Sequence, residues 1–164
     1  AIKILRDEGI PASITLVGGG SGYSQKRLEK EIQLLDPTGT FVTQYSFIHI
    51  DNIPGVLSES DLFIFASSCE NMPVTLIEGM ASGLPIACSD RGPMPEVLGD
   101  GGVYFNPESP QSIADAVKRI IDNKDLRAKG IEVSKQISNQ YLWKINSQKT
   151  FQFLTDTVQN HKQN

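Results

Sequence analysis

Five short apolar runs, separated by helical patterns, constrain this chain more than any other feature. They are "SITLVG", "TFVTQYSF", "DLFIFAS", "LPIACS" and "GVYF", each of strand length and bounded by turn residues. Most are apolar nearly throughout instead of alternating with polar residues. Both faces of such strands must be covered, as in a parallel sheet flanked by helices. The intervening segments supply those helices. Ser24 to Leu35 places Leu28, Ile32 and Leu35 on one face and offers Ser24 as a cap, and a short helical piece follows Asp51. Another helix is predicted from about Thr75 to Ser82, ending at Gly83 with Pro85 just beyond. Ser109 before Pro110 opens a further helix whose Ile113, Val117, Ile120 and Ile121 are predicted to face a core. Two helical stretches, about Asp125 to Asn139 and Leu142 to Val158, follow the last strand, and "AIKILRDEG" begins the chain in helical periodicity. The pattern predicts a doubly wound α/β domain spanning residues 1–164, with its ligand at the carboxyl ends of the strands. The polar tail "QNHKQN" is expected to fray.

Composition narrows the partner. A formal charge of −4 without a Lys/Arg run argues against nucleic acid or anionic lipid and leaves a small molecule as the expected ligand. No stretch approaches the ~18 apolar residues of a membrane span, and no signal-peptide pattern opens the chain, so a cytoplasmic location is expected. Cys69 and Cys88 lie beside apolar runs and read as free thiols. His49 has no second ligand nearby, so neither a metal nor a cofactor is expected.

Three loops lie where strands end. "VGGGSGYS", with Gly18 and Gly19, permits close backbone approach to a ligand ahead of a helix N-terminus. It is a poor dinucleotide fingerprint, because Tyr23 stands where the last glycine belongs and no acid follows the next strand. In "YSFIH", the backbone of Phe47 and Ile48 could meet a planar base, although as side chains both residues read as core. The third loop, "CENMPVTLIEGMASG", holds two carboxylates, Glu70 and Glu78. One reading is local: Thr75-Leu76-Ile77-Glu78 matches a capping box, and Glu70 is an ordinary loop acid. The other is functional. Four loop residues span at most ~13 Å, and Glu78 lies about one turn inside the helix. The carboxylates can therefore accept hydrogen bonds from hydroxyls at the two ends of a nucleotide sugar. Its diphosphate would sit between them on the free N–H groups near Val74, Thr75 and Leu76.

These residues carry a resemblance. The E-x7-E pattern of Glu70 and Glu78, followed by "GLPI" and "ACSDRGPMPEVLGDGGVYFNPESPQSIADAV", together with "ITLVGGG", "FIHIDNIPGVLSESDLFIFAS" and "QYLWKI", resembles the donor-binding C-terminal half of GT-B retaining glycosyltransferases of family 4, the group 1 glycosyl transferases. The likeness runs from about Ile14 to Val158 and implies a Rossmann-like sheet. It implies a catalytic pair in which Glu70 contacts the transferred sugar and Glu78 the ribose. Asn71, Met72 and Pro73, with Val74, Thr75 and Leu76, would hold sugar and diphosphate, and the backbone of Phe47 and Ile48 would meet the base. Glu96 would be structural. Enzymes of this group also carry an initial strand with a Gly-Arg pattern, a nearby lysine, and an acceptor-binding domain, all expected to precede Ala1 in the complete protein.

The implied activity is transfer of a hexosyl group from a UDP- or GDP-hexose to an acceptor hydroxyl, with retention and without a metal. A glycan or lipid acceptor would come through the preceding domain, at the cytoplasmic membrane face. The isolated chain is expected to be inactive, with an apolar patch left exposed around Trp143 and Phe151. The rival readings are an NAD-type dinucleotide-binding domain, a GT-B nucleotide-sugar epimerase and a non-catalytic binding module. A phosphorylase is disfavoured because no pyridoxal phosphate lysine motif is evident.

Overall fold

The computed structural model describes residues 1–162. All five expected strands form: β1 (Ile14–Val17), β2 (Val42–Tyr45), β3 (Phe63–Phe65), β4 (Ile86–Ser89) and β5 (Val103–Phe105). The helices are α1 (Ile2–Asp7), α2 (Tyr23–Leu35), α3 (Ile53–Ser58), α4 (Val74–Ser82), α5 (Met94–Leu98), α6 (Pro110–Asp122), α7 (Lys124–Ser138) and α8 (Trp143–Lys162). Short 3-10 turns precede α3 (Ile50–Asn52) and α8 (Asn139–Tyr141). Every strand pairing is parallel, which gives the α/β class expected from the alternation of elements. The sheet, however, is divided. β1 pairs only with β2, while β3, β4 and β5 form a separate three-stranded sheet in that order.

The packing of β4 explains why its sequence is a continuous apolar run. Ile86 and Cys88 join a core with Leu76, Met80, Met94, Val97 and Leu98 from α4 and α5. Ala87 joins the opposite core, with Leu5 of α1, Val103 and Phe105 of β5, and Val117 and Ile120 of α6. All four residues of β4 are buried, so the strand has helices on both faces and strands on both edges. Each large aliphatic side chain fully buried in this way contributes about 1.5–3 kcal/mol. At the start of β5 the backbone approaches its neighbours too closely for a side chain. A Cβ on Gly101 would stand 2.9 Å from Ser134 Cα, and one on Gly102 would stand 2.7 Å from the Ile86 carbonyl oxygen.

Local capping follows the sequence in some places and departs from it in others. Ser109 Oγ accepts from the Ser112 N–H, with Pro110 opening α6, and Gly83 ends α4 at φ 78° in the left-handed region. Ser24 is not the cap of α2. Gly22, at φ 58°, takes that position, and the Ser24 hydroxyl donates to the Ser21 carbonyl instead. Ile121 is 42% exposed on the solvent side of α6. The last helix, α8, has its main packing against the 3-10 turn that precedes it. Its Trp143, Phe151, Phe153, Leu154 and Val158 are exposed, as the sequence led one to expect for Trp143 and Phe151. Gln159 to Lys162 of the polar tail continue α8 as helix, whereas Gln163 and Asn164 lie outside the described residues.

Asp36 ties α2 to β2. Its buried carboxylate accepts from the Thr40 N–H and hydroxyl and from the N–H groups of Phe41 and Val42. Burial pushes this carboxyl up, but those hydrogen bonds to the ionised form outweigh it and hold the group down at about 2, against an ordinary 3.8. Because the folded value is depressed, the stabilisation is present above the ordinary value and is lost as pH falls toward the folded one. Asp36→Asn is therefore expected to lower the urea midpoint at neutral pH, with the difference from the parent shrinking between about pH 4 and pH 2. A difference independent of pH across that range would show that the carboxylate charge contributes nothing.

Candidate functional site

The carboxyl ends of the strands bring the three sequence loops to one edge of the molecule. After β1, Gly18 (φ 126°) donates to the Tyr45 carbonyl, and a Cβ on Gly19 would stand 3.0 Å from the Ser46 carbonyl oxygen. The glycines therefore hold this loop against the end of β2, which is the close approach that requires them. The Gly20 N–H is already taken by Gln25 Oε1 at 3.1 Å. A pyrophosphate bound here, as the dinucleotide reading requires, would meet an occupied donor.

Phe47 and Ile48 follow β2 directly. Phe47 is 78% exposed, so its side chain is not the core residue that its hydrophobicity suggests, while Ile48 is half-buried. His49 caps the following 3-10 turn, its Nδ1 accepting from the Asp51 N–H at 3.4 Å. Among the described residues no cluster of three or more His, Cys, Asp or Glu side chains could hold a metal.

The third loop leaves β3, passes Glu70 and enters α4. Pro73 is the residue before the first turn, and α4 starts at Val74 with no side-chain cap. This excludes the capping box, because Thr75 is inside the helix and Glu78 stands too far along it to reach back to the cap. Among the described residues, the carboxylates of Glu70 and Glu78 make no hydrogen bond or ion pair. Glu78 is exposed and Glu70 half-buried. The backbone donors at the helix start are not equivalent. Val74 N–H donates to the Met72 carbonyl at 2.9 Å and Ile77 N–H to the Pro73 carbonyl at 3.2 Å. That leaves the N–H groups of Thr75 and Leu76 without an acceptor among the described residues, at the positive end of a nine-residue helix. Asn71, Met72 and Val74 are exposed beside them, and Pro73 is buried as the floor of the turn.

Gly92, after β4, passes close beneath Glu70: a Cβ there would stand 4.0 Å from the Glu70 carbonyl oxygen. The neighbouring Arg91 is engaged by Asp90 and Glu108 at 3.4 Å each and by Asn106 at 3.3 Å. This cation is largely compensated, so the helix start is the more open place for an anion. Glu96 points to solvent from α5, consistent with no part in this edge.

One element of the site escaped the reading of the sequence. A cleft of about 420 Å3 lies between α3 and α4, lined by Ile50, Ile53, Pro54, Leu57, Ser58, Glu78, Ala81 and Ser82. It is an apolar slot with Glu78 on its wall. The signal was present, since Ile50, Ile53, Pro54 and Leu57 follow the i, i+3, i+4, i+7 spacing of a helix face. That face meets α4 only in part and leaves the slot open. A cleft of about 310 Å3 opens at the opposite, amino ends of β4 and β5, where it is lined in part by Ile86, Val103 and Arg127, and none of the loop residues of this edge lines it.

The family model described as "Glycosyl transferases group 1" matches residues 1–137. The O-antigen chain mannosyltransferase B of Escherichia coli is 24% identical over 60% of this chain and 27% of its own length. The sucrose-phosphate synthase of Thermosynechococcus elongatus superposes with a TM-score of 0.81 at 20% identity, over 96% of this chain and 42% of its own. Anabaena HepE, solved in complex with UDP, superposes at 0.77 with 21% identity, over 94% of this chain and 44% of its own. The fold is that of the GT-B glycosyltransferases. The chain spans 27%, 28% and 31% of the length of three curated relatives it matches.

If Glu78 serves a ligand and not the helix, Glu78→Ala should shift stability by no more than about 0.5 kcal/mol, the range of a surface change without structural partners. Loss of a working cap would cost about 1 kcal/mol. Urea denaturation of the two proteins distinguishes the outcomes.

Proposed function

This chain belongs to the group 1 glycosyl transferases, and from that premise we propose that it forms the donor-binding part of a retaining hexosyltransferase of family 4, using a UDP- or GDP-hexose. The observation that carries this reading is the start of α4: an exposed, unpaired backbone donor at Thr75, with the N–H of the buried Leu76 also lacking an acceptor, next to two carboxylates that nothing among the described residues engages.

The division of labour follows from charge. A diphosphate is repelled by carboxylates but attracted by unpaired N–H groups and the positive end of a helix dipole, so it takes the start of α4, at the exposed Thr75 amide. Sugar hydroxyls are donors and suit carboxylate acceptors. Glu70, on the loop above Gly92, receives the hexose, and Glu78, on the wall of the apolar slot, receives the ribose. The base then lies toward Phe47, Ile48 and the slot face of Ile50, Ile53 and Leu57. The presence of UDP in the HepE complex supports a nucleotide in this family's cleft. Stabilisation of the departing phosphate by preorganised donors would be the main contribution to rate, with no metal or cofactor needed. Glu70 acts as a positioning and charge-stabilising group at the sugar. The acceptor, a glycan or lipid, would be bound by another part of the complete protein, placed at the cytoplasmic face of a membrane.

NMR titration of the chain with UDP, GDP and their hexose conjugates tests this directly. Shifts confined to Phe47 through His49 and Val74 through Glu78 with one nucleotide are expected; shifts elsewhere, or centred on Gly18 to Gly22, would remove the assignment. In the complete enzyme, Glu70→Ala is expected to reduce turnover by about a hundredfold or more, the scale of losing one preorganised stabilising contact. Glu78→Gln should act mainly on nucleotide affinity. Equal turnover after both substitutions would sink the assigned roles.

A further inference from the structure

We propose that Gly79 of α4 and Phe63 of β3 are a positioning pair that sets how deeply Glu78 stands in the slot between α3 and α4, and thereby how the ribose of the donor is held, a role that rests on the donor reading above. Helix α4 carries two working faces. Leu76, Gly79 and Met80, at i, i+3 and i+4, are buried toward the sheet, where Leu76 and Met80 pack with Ile86 and Cys88 of β4. Glu78, Ala81 and Ser82, at the same spacing, line the slot. The residue that meets the sheet and the residue that meets the ligand are therefore neighbours on one turn of helix.

Gly79 runs against helix propensity. A glycine inside a helix destabilises it relative to alanine, because the chain gives up more conformational freedom there. Its φ is not positive, so the backbone does not require it. Packing does. A Cβ at this position would stand 2.6 Å from both Cδ1 and Cε1 of the Phe63 ring and 3.0 Å from its Cγ, the tightest such approach at any described glycine. The ring has a fixed seat. The Phe63 N–H donates to the Pro85 carbonyl at 2.9 Å beside its partner Ile86, and the ring lies nearly parallel to that of Phe65, with centroids 6.4 Å apart. Phe65 is itself buried in the core with Leu76 and Met80. Helix α4 comes down on this aromatic step only because position 79 has no side chain.

The depth of that contact matters one residue away. Ser58 and Ser82, the other polar side chains on the slot, already donate to carbonyls of their own helices, those of Gly55 at 2.8 Å and Gly79 at 2.7 Å. The carboxylate of Glu78 is thus the strongest acceptor that a sugar hydroxyl entering the slot would meet. A methyl group at position 79 needs about 3.5–4.0 Å from the ring carbons, roughly 1 Å more than the backbone now leaves. A shift of roughly 1 Å carries a carboxylate out of hydrogen-bonding range of a ligand held elsewhere.

Calorimetric titration of the complete enzyme with UDP and GDP, each against its dideoxyribose analogue, tests the pair, because the ratio of the two affinities reads the ribose hydroxyls alone. For the nucleotide that binds, the parent is expected to favour the ribose form, and Glu78→Ala to bring the ratio close to unity. Gly79→Ala is expected to shrink the ratio about tenfold, the scale of losing one hydrogen bond to a charged group. Phe63→Val in the Gly79→Ala background removes the ring carbons that the methyl group meets and is expected to restore the parent's ratio, which also decides the case in which Gly79→Ala alone does not fold. A lower urea midpoint in Gly79→Ala with an unchanged ratio, or a double variant that recovers nothing, would overturn the proposal and leave the two residues as packing alone. A parent ratio that Glu78→Ala does not alter would remove the ribose role of Glu78, and the proposal with it, so failure of the donor reading is told apart from failure of the pair.

Discussion

Every parallel strand must satisfy its backbone on two edges and cover its side chains on two faces, and β4 is where this molecule meets all four conditions. Ile86 to Ser89 lie between β3 and β5 and between the α1/α6 and α4/α5 cores. The positions of the other elements follow from it. α4 packs down on Ile86 and Cys88 through Leu76 and Met80, which fixes the direction of its amino end, and Gly92 after β4 supports the loop on which Glu70 stands. Burial pushes the Cys88 thiol up to about 12, so it packs in this core as a neutral group. Away from β4 the conditions are met less fully. No residue of α2 is buried, and the β1–β2 pair holds its form through local ties such as those to Asp36.

The candidate site inherits this graded order. Its Glu70 and α4 portion sits on the best-packed part of the molecule, and its Phe47 portion lies on the less covered pair of strands. Charge is distributed in keeping with a ligand that is anionic in the middle and rich in hydroxyls at its ends. The exposed Thr75 amide stands at the centre, the carboxylates of Glu70 and Glu78 lie to either side without a partner among the described residues, and the nearby arginine is already engaged by its own neighbours.

Much of the fold was legible in the sequence because the information is local. A strand buried on both faces must be apolar throughout, so "LPIACS" announced β4, and Ser109-Pro110 and Gly83 marked helix ends by backbone requirements that few other residues meet. What depended on tertiary placement was less legible. Ser24 looked like a cap, but Gly22, with its positive φ, takes that position and α2 begins at Tyr23. Phe47 looked like core because hydrophobicity is a property of the residue, whereas its exposure is set by what lies across from it. The slot between α3 and α4 needed two elements distant in sequence to meet, although the periodicity of Ile50 to Leu57 supplied half of it. The E-x7-E spacing carried the opposite lesson. Its Glu78 also fitted a capping box with Thr75 until the first turn of α4 was seen to begin at Val74.

The exposed final helix has an optical consequence. Trp143 is the single tryptophan of the chain, and it stands 89% exposed at the start of α8, remote from the β4 cores. Its emission therefore reports the environment of that helix: water when α8 is bare, an apolar contact when something lies against it. The indole is a poor witness to melting of the core but a built-in sensor of whatever docks on α8.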